Sequence, residues 1–167
     1  MTIEHKRIIS VLMENAPGAL SRVVGLFSQR GYNIDSLNVA PTNDTSLSRL
    51  TLTTRCDDLV IEQITKQLNK LIDVVKVQDI TEGSHIEREL MMIKVRTRGD
   101  ERAEVKRCAD IFRGQIIDVG PNYYTVLVEG DAAKLDAFIE ALAEMRVLEV
   151  VRSGVCGIAR SDKALTL

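Results

Sequence analysis

The order of predicted elements, β-α-β-β-α-β written twice, predicts an α+β fold of two consecutive modules. Two observations carry this. Helical stripes and alternating strand patterns follow one another in the same order in each half of the 167 residues. A polar segment, Glu82 to Glu87, separates the halves and divides the chain into modules 1–83 and 84–167. Each module is the split βαβ, or ferredoxin-like, arrangement.

The elements read as follows. Ile8 to Met13 is a short apolar run between Lys6-Arg7 and Glu14-Asn15, the pattern of a buried strand. Asn15-Ala16-Pro17-Gly18 breaks it. Leu20, Val23, Val24 and Phe27 then share one helical face, and Gly31 is placed to end that helix. Tyr32 to Ala40 alternates as a second strand, Pro41 to Ser46 is a turn, and Leu47 to Thr54 is a third strand paired with the second. Asp57 or Asp58 caps a helix striped by Ile61, Ile64, Leu68 and Leu71, and Val74 to Ile80 is the fourth strand.

In the second half Leu90 to Val95 is a strand. Asp100 to Phe112 is a helix with Val105, Cys108, Ala109 and Phe112 on one face. Ile116 to Val119 and Tyr123 to Val128 form a hairpin. Asp131 caps a helix striped by Leu135, Phe138, Ile139 and Leu142, and Arg146 to Val151 is the last strand. Two helices cover one face of a four-stranded sheet, so the other face and the edges need burial. Pairing into a homo-oligomer is the expected remedy for modules this small.

Composition excludes several functions. Net charge is −2, which argues against a generally basic nucleic-acid binder. No apolar run approaches the roughly 20 residues of a membrane span, and Met1 to Arg7 leads into no signal-peptide core. Three scattered cysteines (Cys56, Cys108, Cys156) and two histidines (His5, His85) make neither a disulfide framework nor a zinc pattern, so a reducing, cytoplasmic setting is expected. No catalytic triad can be placed, and Gly154-Val155-Cys156-Gly157 lacks the Lys of a phosphate loop. The basic stretch Arg96 to Arg113 is interleaved with acids and reads as a solvated face.

One segment carries site chemistry. Asn15-Ala16-Pro17-Gly18-Ala19-Leu20 puts a polar side chain, then Pro and Gly, at a helix start that follows a buried strand. Free N–H groups there attract a carboxylate, and Asn15 can both donate to and accept from a free amino acid. The competing reading is ordinary helix-start grammar, with Asn15 as the cap and Pro17 in the first turn. Gly31-Tyr32-Asn33-Ile34 poses the same choice between a helix end and a ligand contact.

Arg7 to Asn15 followed by Pro17 to Val23 resembles the opening of an ACT domain, a small-molecule regulatory module. Gly25 to Leu37 is similar to the regulatory (small) subunits of acetohydroxyacid synthase, also called acetolactate synthase. Ile111 to Val119 and Ser153-Gly154-Val155 resemble that family's C-terminal domain. The resemblance implies a non-catalytic chain that binds a large subunit carrying thiamine diphosphate, Mg²⁺ and FAD, and itself binds no cofactor. It implies activation of that subunit and feedback inhibition by valine in branched-chain amino acid biosynthesis. It places the effector between two ACT domains, with Asn15, Gly18, Ala19 and Leu20 from one chain and Asn33 and Ile34 from the other. Three alternatives stand beside it: a stand-alone tandem ACT-type sensor, an RNA-binding module, and a small enzyme.

Overall fold

In a computed structural model of the chain, residues 4–162 and 164–167 are described. The first unit runs through Ile86 and takes in Val155–Leu167; the second is Glu87–Gly154.

In the first unit, strands β1 (His5–Glu14), β2 (Ser36–Pro41), β3 (Leu47–Cys56) and β4 (Val74–Asp79) form an antiparallel sheet in the order β2-β3-β1-β4. Helices α1 (Ala19–Gln29) and α2 (Asp58–Leu68) cover one face. Alternate β1 residues Ile9, Val11 and Met13 meet Val23, Phe27, Ile61 and Ile64 in one core. Asp57 caps α2, its carboxylate accepting from the Val60 N–H at 2.8 Å. Gly31, at φ 70°, stands just past Arg30 and ends α1 as expected.

The second unit repeats the order. It holds β5 (His85–Arg96, its first two residues belonging to the first unit), α3 (Glu101–Ile111), β6 (Gln115–Gly120), β7 (Tyr123–Gly130), α4 (Ala132–Ala141) and β8 (Val147–Arg152), with the strands ordered β6-β7-β5-β8. Met91, Ile93 and Val95 pack on Val105, Cys108, Leu135 and Phe138. Asp131 caps α4 through the Lys134 N–H at 2.8 Å. Along α3, Lys106 pairs with Asp110 and Arg107 with Glu104, the ion-paired face that the interleaved charges predict.

Four expectations need correction. The second module does not run from 84 to 167: Val155–Leu167 returns to the first unit. A further strand, β9 (Cys156–Ala159), pairs with β5, and Arg160 N–H donates to Ser84 O at 2.8 Å. This tail buries much of the sheet face opposite the helices. Val155 meets Ile8 and Ile80, and Leu165 meets Leu12 and Leu47. The open face is therefore covered in part by the chain itself.

The buried stripe of α1 is Ala19, Val23, Leu26 and Phe27, with Leu20 38% exposed and Val24 half-buried. Both sides of the helix carry aliphatic residues, so spacing alone did not choose between them. β2 begins at Ser36 and not at Tyr32, because Gly31 turns the chain and Tyr32 and Ile34 pack onto the core from an unpaired segment. Asn15 is not the cap of α1; Gly18 is.

The start of α1 is tied to the residue preceding β4. Arg22 Nε and Nη2 reach both oxygens of the Asp73 carboxylate, the second at 3.0 Å, and Asp73 is 9% exposed. The Arg22 guanidinium holds the Asp73 carboxyl below the usual carboxylate range. A depressed folded value means the pair stabilises the fold above the ordinary aspartate value of about 3.9 and is lost as pH falls through the lower folded value. The wild-type chain should therefore lose more of its urea midpoint between pH 7 and pH 3 than Asp73→Asn. Parallel losses would show that the pair contributes nothing.

Candidate functional site

The site is built by the end of β1 and the start of α1. The Glu14 N–H donates to Asp73 O at 2.8 Å and the Asn15 N–H to Ser46 O at 2.7 Å, so the chain leaves the sheet in a fixed direction. The Asn15 side chain crosses to the β2–β3 turn, its Nδ2 donating to Thr45 O at 2.9 Å. That bond leaves Oδ1 as an acceptor with no partner among the described residues.

Pro17 and Gly18 then turn into the helix. Gly18 sits at φ 85° and ψ −12°, left-handed backbone that glycine adopts without a Cβ penalty. As the cap it has no side chain to offer, so no side-chain hydrogen bond closes the first turn. The Ala19 N–H is spent on Ala16 O at 3.2 Å, and the Arg22 N–H on Gly18 O at 3.0 Å. The N–H groups of Gly18, Leu20 and Ser21 have no partner among the described residues. These donors and the Asn15 acceptor belong to exposed residues, and the donors lie at the positive end of the helix.

The structure sorts the predicted residues into three kinds. Asn15, Gly18 and Leu20 are exposed and present polar groups or a half-open apolar side chain. Ala19 is 1% exposed, and its methyl group belongs to the core; its amide is already used. Asn33 and Ile34 lie past the other end of α1. Asn33 is exposed, its Nδ2 donating to Asp35 Oδ1 at 2.7 Å and its carbonyl accepting from Thr54 Oγ1 at 2.5 Å. Ile34 is half-buried on the first core. Eleven helical residues separate the two segments, a length of about 16 Å. One chain therefore does not bring them together around a small ligand.

Arg22 is the residue that sequence reasoning missed. A Cβ placed on Gly18 would lie 3.0 Å from Arg22 Nη1, so the guanidinium covers the cap residue while Asp73 holds its other edge. The available signal was spacing: Arg22 stands four residues after Gly18, the interval that stacks side chains on one helix face.

Comparisons with known proteins match the chain across both units. Residues 9–76 match the model of the AHAS small subunit-like ACT domain, and residues 88–161 that of the small subunit of acetolactate synthase. The chain is 56% identical over 161 residues to the acetolactate synthase isozyme 3 small subunit of Escherichia coli, covering 96% of this chain and 99% of that one. It is 57% identical over 159 residues to the acetolactate synthase small subunit of Haemophilus influenzae, covering 95% and 98%. The crystal structure of the acetolactate synthase small subunit from Thermotoga maritima superposes with a TM-score of 0.86 at 37% identity, covering 95% and 99%. The β-α-β-β-α-β order, the ACT-type first unit and near-complete alignment with these relatives make the chain a member of the acetolactate synthase small-subunit family.

Proposed function

We propose that this chain is the regulatory, non-catalytic subunit of a cytoplasmic acetolactate synthase. It assembles with a large catalytic subunit, raises its activity and confers feedback inhibition by valine. The thiamine diphosphate, Mg²⁺ and FAD that the family resemblance implies belong to that larger partner.

The observation that carries the reading is the uncapped start of α1. The amides of Gly18, Leu20 and Ser21 suit a carboxylate, and the open Oδ1 of Asn15 suits the ammonium of the same molecule. Leu20, 38% exposed, offers an aliphatic contact of the size valine needs. The remaining contacts, Asn33 and Ile34, come from a second copy, because the length of α1 keeps them away within one chain. Strand β2 ends the first sheet with Val39 36% exposed, which supports a homodimer formed along that edge.

Regulation then follows from a population shift. The assembly has a more active and a less active arrangement, and valine favours the second by binding it more tightly. Coupling of this kind is typically about 1–3 kcal/mol.

Gly18→Asp tests the site directly. Aspartate tolerates left-handed backbone better than most residues, and its Cβ meets only the Arg22 guanidinium, a side-chain end and not backbone. Its carboxylate would occupy the place of the effector's. In the reconstituted complex, Gly18→Asp should abolish valine inhibition and retain activation of the large subunit; unchanged inhibition would refute the assignment. Asn15→Ala removes the open acceptor and should weaken valine binding to the isolated chain at least tenfold by calorimetry.

A further inference from the structure

The tail that returns to the first unit does not fill the space beneath it. A cavity of about 680 Å³ lies between the sheet face opposite the helices and residues 156–159, 161 and 164–167 of the tail, within the size range of small-molecule sites. Strand register explains its lining. Ala40 and Leu12 lie directly across from Arg49, and Asn38 and Ser10 across from Thr51, so all six share this face. Leu47, Ile158 and Leu165 add apolar wall.

Arg49 is the unusual member. It is half-buried and lines the cavity, with no carboxylate pairing it among the described residues. Its Nη2 donates to two neutral groups, Ser10 Oγ at 3.1 Å and Gly157 O at 2.8 Å. Nε and Nη1 have no partner among the described residues, so most of the guanidinium's donors stay open. Asp44 also lines the cavity, but its Oδ1 accepts from the Ser46 N–H and Oγ at 2.9 and 2.7 Å, within its own turn. Partial burial without a counter-ion disfavours the charge, and lowers the arginine's pKa below its usual range. An entering anion would remove that penalty, and a carboxylate matches the guanidinium's planar fork.

We infer that the cavity over Arg49 binds an organic monocarboxylate with an aliphatic body. The charged end meets Arg49 Nε and Nη1, and the chain lies along Leu12, Leu47 and Leu165. The site is on the sheet face opposite α1 and is separate from the amino-acid site proposed there.

Octanoate is a suitable probe, with octan-1-ol as its uncharged counterpart. Calorimetry on the full chain should show saturable binding of one octanoate per chain and at least tenfold weaker binding of octan-1-ol. Arg49→Gln, and Ile158→Glu at a position 57% exposed, should each weaken octanoate at least tenfold. If Arg49→Gln fails to fold by circular dichroism, Ile158→Glu alone decides. Valine should still bind the variants, and should not compete with octanoate. Absence of saturable binding, equal binding of octan-1-ol, undiminished binding by the folded variants or displacement by valine would each overturn the inference. Octanoate binding by a chain that ignores valine would support this site while removing the one at α1.

Discussion

The amides of Gly18, Leu20 and Ser21 must hydrogen-bond to something, and the described chain offers them nothing. In most helices a serine, threonine or aspartate closes this gap, as Asp57 and Asp131 do for α2 and α4. At α1 a left-handed glycine stands in the cap position, and the asparagine that could have served points instead at Thr45. Solvent can satisfy exposed amides, so the fold survives without a cap. The arrangement also leaves three amides open at the positive end of a helix. The surrounding contacts fix their setting: β1 sets the exit direction, Arg22 leans over Gly18, and Asp73 restrains Arg22 from the edge of the sheet.

The same chain solves a burial problem in two ways. A four-stranded sheet with two helices has one apolar face covered and one open. In the first unit the open face receives Val155 and Leu165 from the chain's own last segment. Edge β2 remains, and the homodimer proposed above would form along it. The tail covers a face without consuming that edge.

Local signals made most of the fold legible. Asp57 and Asp131 cap as their positions suggested, Gly31 ends α1, and the stripes predicted for α2 to α4 face the cores, with Leu71, Phe112 and Ile139 half-buried. Non-local features were not legible. The return of Val155–Leu167 depends on contacts with Ile8 and Leu12, about 150 residues earlier, and β9 has only four residues, one of them glycine. Arg7 reads as a flanking charge yet is 4% exposed, held by Asp58, Asp79 and Glu82. At the candidate site, the segment was visible as Asn-Ala-Pro-Gly, but the roles within it were not. Asparagine is a common cap, so composition favoured Asn15 in a position that the backbone gives to Gly18. Arg22 and Asp73 pair across 51 residues, beyond any periodicity.

The central claim is that a free amino acid seats on the open amides of α1 and touches a second copy of the chain. Amide chemical shifts of the isotopically labelled full chain, followed as valine is added, test it most directly. The account predicts saturable movement of the Gly18, Leu20 and Ser21 amides together with Asn33 at the far end of the helix. Saturable binding that left those four resonances in place would contradict it.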